Sequence, residues 1–373
     1  MVSAPMKKLG LISLIIFLSG LVIGLACQLP VTSDPDDLKD NLTDAVRSSS
    51  PVATAENIET TLTAPVLQSP SIFGPEQATL PITPGEVLTL PPTNTPESKN
   101  PATATISPTE VTLQSLKLAV IGDYGEAGPA LSDVANLIRS WQPDYILTTG
   151  DNNYPNGAYE SIDDNIGQYF HDYIYPYKGN YGSGAEVNRF YPTLGNHDYD
   201  TDNAQPYFDY FTLPGNERYY DIVLGPVHIF ALNSDWREED GVGRSSVQAA
   251  WLKEKLAAST SPWKLVVFHA APYSSGMHGS TDWMRWPFRE WGASAVLAGH
   301  DHVYERLLID GLAYFTNGIG GGAIYSFEET FPGSQVRYNA DYGAILILVD
   351  ESQIVFQFIN RSDEVIDTYQ ISR

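Results

Sequence analysis

The run Tyr145-Ile146-Leu147-Thr148-Thr149, followed by Gly150-Asp151-Asn152-Asn153-Tyr154, decides how this chain folds. An apolar, β-branched run that stops abruptly at Gly-Asp describes a buried strand emptying into a loop. In α/β sheets such strand ends are where ligand-binding groups are presented. Asp151 offers a carboxylate there, and Tyr154 offers a phenol to the same side of the turn. Both are hard oxygen donors, suited to a highly charged cation such as Fe(III). Taken alone, the pentapeptide reads more simply as a Gly-Asp-Asn turn with a surface tyrosine, so the rest of the chain must decide.

Working outward, the same punctuation recurs. Leu116 to Ile121 reads as a strand closed by Gly122-Asp123-Tyr124-Gly125, and Phe190 to Leu194 as one closed by Gly195-Asn196-His197-Asp198. Lys264 to Phe268 ends in His269, and Ser294 to Leu297 is followed by Gly299-His300-Asp301-His302. Between them, apolar spacing at Leu131, Val134, Ala135 and Ile138 predicts a helix over Gly128 to Trp141. Further helices are predicted over Ser246 to Ala257 and over the Trp-rich stretch Thr281 to Trp291. Arg218 to Leu224 and Val227 to Leu232 form a predicted hairpin turned at Gly225-Pro226, and Val303 to Ile371 reads as mostly antiparallel strands. The fold class is therefore α/β, a four-layer sandwich of two packed mixed β-sheets flanked by helices. Parallel strands place their ends on one side, so Asp, Asp, Asn, His and a His-x-His are expected to meet at one edge.

The blocks GDYG, GDNNY, GNHD, VVFH and GHDH, in that order, resemble the five metal-binding blocks of the metallophosphoesterases, and more closely those of the purple acid phosphatase branch. The resemblance covers about residues 120 to 320. Most of the superfamily has Asp-x-His in the first block, whereas here the third place is Gly125. The branch resembled fills that vacancy with a tyrosine from the second block, where Tyr154 stands. Carried over, the resemblance implies that Asp123, Tyr154 and His302 hold an Fe(III) and that Asp151 bridges to a second metal. Asn196, His269 and His300 would complete that second site, for a divalent Fe, Zn or Mn. It also implies an acid phosphatase-type phosphomonoesterase working by attack of a metal-activated hydroxide, with His197 and His278 as phosphate-binding groups and general acids. Asp198 is expected to orient the His197 ring. A phosphodiesterase or nucleotide hydrolase on the same scaffold, and a non-catalytic metal-stabilised binding module, are the alternatives.

Other features carry less. Gly318-Ile319-Gly320-Gly321-Gly322 lacks the helix and the spacing of a nucleotide-binding loop, so a turn at the site edge is expected. Tyr304-Glu305-Arg306 is expected to support or pack, His228 to be structural, and the aromatics from Tyr154 to Phe211 and at Trp283, Trp286 and Trp291 to be mostly core. The serine pairs Ser245-Ser246 and Ser274-Ser275 have no Ser-His-Asp context.

Residues 1–27 read as a targeting segment: Met6-Lys7-Lys8, an apolar run from Leu9 to Leu25, then Gly24-Leu25-Ala26-Cys27. It resembles a bacterial lipoprotein signal with Cys27 as the lipidated residue, although Gly24 stands where a larger aliphatic side chain is usual. Cleavage after Ala26 or an uncleaved anchor stays open, and each reading exports the domain. Residues 28–115, rich in Pro, Thr and Ser with Phe73 their one aromatic residue, read as a disordered stalk. As a flexible coil it would span on the order of 50 Å. Residues 116–373 are then the catalytic domain, held by its core alone because Cys27 is the single cysteine. A formal net charge of -24 argues against a nucleic-acid partner. It does not argue against phosphoester substrates, since metal charge dominates locally.

Overall fold

The computed structural model describes residues 115–373. The predicted targeting segment with Cys27, and the predicted stalk up to residue 114, lie outside the described residues. Among the described residues no helix is long and apolar enough to cross a membrane.

In chain order the strands are β1 (Leu116–Ile121), β2 (Tyr145–Thr148), β3 (Phe190–Tyr191), β4 (Tyr220–Leu224), β5 (Val227–Ala231), β6 (Trp263–Ala270), β7 (Ala295–Gly299), β8 (Tyr304–Ile309), β9 (Leu312–Asn317), β10 (Ser334–Tyr338), β11 (Gly343–Val349), β12 (Gln353–Asn360) and β13 (Val365–Ser372). They form a six-stranded sheet of order β13-β12-β11-β1-β2-β3 and a seven-stranded sheet of order β10-β8-β9-β7-β6-β5-β4. In the first sheet β1, β2 and β3 are parallel, and the C-terminal strands add antiparallel to β1. In the second, β5, β6, β7 and β9 are parallel, with antiparallel pairs at both edges. Both sheets are mixed, and helices flank them.

Strand parity places the apolar side chains. Leu265 and Val267 of β6 join the main core with β1, β2 and β11 residues, whereas Val266 and Phe268 join a separate cluster with Leu252 and Leu256 of the helix Val247–Ala258. With both faces covered, β6 and β7 need continuous apolar runs rather than alternation. His269 follows the parity of Leu265 and Val267, so the strand delivers it to the face where the two sheets meet.

The helix Pro129–Trp141 buries Leu131, Val134, Ala135 and Ile138, as their spacing requires. The helix after Ser246 starts as predicted, with the Ser246 hydroxyl accepting from the Ala249 N–H. Two predicted elements differ. The third strand stops at Tyr191 because Pro192 has no N–H to donate to a ladder. The expected helix over Thr281 to Trp291 is instead a single 3-10 turn, Asp282–Met284, and a short helix, Phe288–Trp291. Pro287 disfavours helical backbone at the residue before it and breaks the periodicity that the tryptophans suggest. The Trp286 indole N–H is held by the Val242 and Trp283 carbonyls.

Candidate metal centre

The predicted site residues come from both sheets, not from one edge. Asp123, Asp151 and Asn196 follow β1, β2 and β3 of the first sheet, while His269, His300 and His302 come from β6 and the turn after β7 of the second. The seam is stitched at its base. The Thr149 hydroxyl donates to the Asn317 carbonyl at 3.3 Å, and the Asn317 amide donates to the Val120 carbonyl at 3.1 Å.

Three of the candidate ligands sit in left-handed backbone: Asp123 at φ 52°, Asp151 at φ 50° and His300 at φ 71°. Each directly follows a glycine at, or one or two residues beyond, the end of its strand. Non-glycine residues held there carry local strain, of the kind that clusters at functional sites. Gly299 shows why glycine precedes: a Cβ there would lie 2.4 Å from Asp123 Oδ2.

All seven candidate ligands converge, in two overlapping groups. In the first, Asp123, Asp151 and His302 each offer an atom within 4.8 Å of the others. The Tyr154 hydroxyl joins them, 3.0 Å from Asp151 Oδ2, 3.0 Å from His302 Nε2 and 3.5 Å from Asp123 Oδ1. In the second, His269 Nε2 lies 2.9 Å from Asn196 Oδ1, 3.2 Å from His300 Nδ1 and 3.4 Å from Asp151 Oδ2. Asp151 belongs to both.

The donor chemistry fits cations. His302 Nδ1 sits 2.6 Å from the Ala323 carbonyl and His269 Nδ1 sits 2.9 Å from the Thr149 carbonyl. Those carbonyls accept from Nδ1–H, so each ring turns Nε2 into the cluster, His302 beside the Tyr154 hydroxyl and His269 beside Asn196 Oδ1 and Asp151 Oδ2. Two buried carboxylates, a phenol, an amide oxygen and three imidazoles gathered at one seam make a donor set suited to metal ions.

His197 and His278 stand beside this cluster. His197 Nδ1 donates to the Pro155 carbonyl at 2.6 Å, and Nε2 lies 4.0 Å from Asp151 Oδ2. The expectation that Asp198 orients this ring is wrong. The Asp198 carboxylate instead accepts from the N–H groups of Gly195 and Asn152 and from the Asn152 amide, bracing the second and third blocks. The His278 ring stacks on His300, with centroids 4.5 Å apart, and its backbone N–H donates to Asp301.

The segment 116–304 matches the family model described as Calcineurin-like phosphoesterase. The chain belongs to that calcineurin-like phosphoesterase family. Among curated relatives, "Purple acid phosphatase 17" of Arabidopsis thaliana is 26% identical over 249 residues, covering 56% of this chain and 69% of that protein. "Tartrate-resistant acid phosphatase type 5" of Mus musculus is 25% identical over 244 residues, 55% of this chain and 72% of the relative. Among solved structures, "GAP50 the anchor in the inner membrane complex of Plasmodium" is similar, with a TM-score of 0.54 and 17% identity, covering 69% of this chain and 89% of that one. That likeness concerns the fold alone.

In this calcineurin-like phosphoesterase the protein's own charges favour an ionised Asp151. Burial alone would raise the Asp151 pKa, but the charges of His269 and His197 and the His269 hydrogen bond pull it far below the usual carboxylate range. Burial opposes the charge on His269 too, yet Asp151 and Asp123 lift it to about 9. His300 is pushed well down by burial and by the neighbouring His278 and His269, which keeps it neutral, the form that ligates. Asp198 is raised to about 7 by burial and by the Asp151 charge.

The glycine run from Gly318 is the expected turn at the site edge. Gly320 N–H and Gly322 N–H donate to the Gly122 and Asp123 carbonyls, and a Cβ at Gly318 would lie 2.1 Å from the Asp301 carbonyl oxygen. Glu305 and Arg306 are structural as expected, bonded to Ser275 and Asp367, and His228 is bonded to Asp221 and Ser259. Two neighbours of the site were not singled out by sequence. Arg237, chelated by Asp235, donates to the Asn196 carbonyl at 2.9 Å. Tyr325 stacks on His302 at 4.2 Å. Neither lies in one of the five blocks, and the one signal for Tyr325 is an aromatic residue soon after a glycine-rich turn.

Proposed function

We propose that this phosphoesterase hydrolyses phosphate monoesters at a dinuclear metal centre, in the manner of an acid phosphatase. Asp123, Tyr154 and His302 would hold Fe(III); Asn196, His269 and His300 would hold a divalent Fe, Zn or Mn; Asp151 would serve both. The observation that carries this reading is the Tyr154 hydroxyl, 3.0 Å from both Asp151 and His302, on the side where the first block has Gly125 instead of a histidine. Relatives at about a quarter identity that are named as purple or tartrate-resistant acid phosphatases support it. Two bound metal ions would supply Lewis acidity and an activated water near neutral pH.

The chain's own groups do the rest. His197, its Nδ1 proton committed to the Pro155 carbonyl, has Nε2 4.0 Å from Asp151 Oδ2 and would hold a phosphate oxygen. His278, stacked over His300, would give a proton to the departing alkoxide. No side-chain nucleophile is needed. In the same reading residues 1–27 export the domain to the cell envelope, lipid-anchored at Cys27 or otherwise secreted. The mass of the mature N-terminus tests that part.

The activity is tested with p-nitrophenyl phosphate against bis-p-nitrophenyl phosphate. A strong preference for the monoester, lost in Asp151→Ala and in His300→Ala, is expected. Preference for the diester would make the protein a phosphodiesterase, and turnover surviving both substitutions would remove the metal centre from the mechanism.

A further inference from the structure

The two histidines of His300-Asp301-His302 are each covered by one aromatic ring, and the two rings come from different loops. His278 lies over His300, centroids 4.5 Å apart and 23° between planes, while Tyr325 lies over His302 at 4.2 Å and 7°. The rings meet edge to face, 5.3 Å apart at 67°. Tyr325 is half-buried. Its position is not left to loop chance: its N–H donates to the His302 carbonyl at 3.0 Å, and His302 Nδ1 sits 2.6 Å from the carbonyl of Ala323.

The loops themselves are tied into one body. Ser275, three residues before His278, gives both its N–H and its hydroxyl to the buried Glu305 carboxylate, at 2.7 and 2.6 Å. The segment carrying Tyr325 docks on the same serine: Phe331 N–H donates to its hydroxyl and Glu328 N–H to its carbonyl, both at 2.8 Å, while Gly276 pairs with Phe327 as an isolated β-bridge. A fully buried carboxylate with both oxygens committed makes a rigid anchor. Tyr325 and His278 therefore keep a fixed mutual position beside the metal-binding histidines.

We propose that Tyr325 is a specificity-determining residue that holds the leaving group of the substrate against its ring, next to His278, and so favours phosphate monoesters of planar, aromatic alcohols. The inference rests on the phosphatase reading above and on the placement of His278 at the leaving-group side. A phosphate held between the metal ligands and His197 directs its ester oxygen toward His278. The group beyond that oxygen then meets the phenol ring. Ring-on-ring contact is attractive beyond area burial alone, whereas a short alkyl group covers little of the ring.

The test measures binding as well as turnover. Calorimetric titration of metal-loaded wild type, Tyr325→Phe, Tyr325→Leu and Tyr325→Ala with phenylphosphonate and with ethylphosphonate gives a ratio of dissociation constants for each protein. The wild type and Tyr325→Phe are expected to share one ratio, and Tyr325→Leu and Tyr325→Ala to lose about three- to tenfold of the phenyl preference, with ethylphosphonate affinity held within about twofold. Tyr325→Leu keeps side-chain bulk, so a general loss of loop structure would weaken both ligands together and overturn the proposal. An unchanged ratio in both variants overturns it too, while leaving the phosphatase reading intact wherever wild type still hydrolyses p-nitrophenyl phosphate. A wild type that binds neither phosphonate and hydrolyses nothing sinks both.

Discussion

The Tyr154 N–H donates to the Gly125 carbonyl at 2.7 Å, so the residue that supplies the phenol is bonded to the residue that lacks the histidine. The two changes are one structural fact. A Cβ at Gly125 would lie 2.2 Å from the Asn152 carbonyl carbon and 2.3 Å from Asn153 N, inside the turn that aims Tyr154. A side chain at position 125 and a phenol from the second block are thus mutually exclusive here. Gly125→His should not restore the ligand set seen elsewhere in the family; it should push the 152–154 turn away. Gly125→Ala and Gly125→His are each expected to cost about 1–3 kcal/mol by overpacking and to lower the metal bound per chain. Elemental analysis of the purified variants checks this, and full metal content in Gly125→His would contradict it.

Tyr154→Phe separates the ring from its oxygen. The ring packs on His197 with centroids 4.6 Å apart, which phenylalanine preserves. Burial, and then the charges of Asp151 and Asp123, hold the phenol well above its ordinary pKa, so it ionises only when a cation offsets those carboxylates. Iron-loaded wild type is expected to show a broad visible band from tyrosinate bound to Fe(III), and the variant to lose it without losing its fold. An iron-containing wild type that is colourless, or a variant that keeps the band, would separate Tyr154 from the iron.

How far the sequence carries is clear from these residues. Parity along β6 is enough to send His269 to the sheet interface, and the glycines at positions 122, 150, 195 and 299 mark the strand ends that carry the candidate ligands. Local patterns of this kind survive tertiary context because they are backbone properties. Contacts between loops distant in sequence do not show in any window. Asp198 reads as a partner for its neighbour His197, yet it bonds Asn152, 46 residues away, because the fold offers it buried N–H groups that need an acceptor. Tyr325 is invisible for the same reason. The Trp-rich stretch errs oppositely, since a helical spacing of tryptophans is outweighed by one proline.

A second relationship links the sheets. Arg306 of β8 grips Asp367 of β13 through two bonds, 2.6 and 3.1 Å, and the Tyr304 hydroxyl adds a third at 2.8 Å. The strands belong to different sheets, so the pair spans the sandwich. Both side chains are largely buried, at 13% and 6% exposure, and removing one leaves the other uncompensated. Asp367→Ala should cost about 3–5 kcal/mol, and the double variant Arg306→Met with Asp367→Ala should recover much of it. Urea unfolding midpoints of the four proteins give the cycle; additive losses would mean the charges act independently.

Acid should loosen the aromatic flank before the core. Asp163 accepts from the Tyr177 hydroxyl at 2.6 Å, the Tyr210 hydroxyl at 2.8 Å and the Asn180 N–H at 2.8 Å. Burial alone would raise its pKa, but those bonds hold it below the ordinary carboxylate value of 3.8, while burial and the same carboxylate lift Tyr177 to about 12. A carboxylate whose folded pKa is depressed binds protons more readily once unfolded. Its contribution is therefore present in full above the unfolded pKa and is lost as pH falls through the lower, folded one. Melting temperatures measured between about pH 6 and pH 2 should fall more steeply for wild type than for Asp163→Asn, which keeps an acceptor for the two phenols but does not titrate. Parallel curves would mean that Asp163 is not what couples this flank to acid.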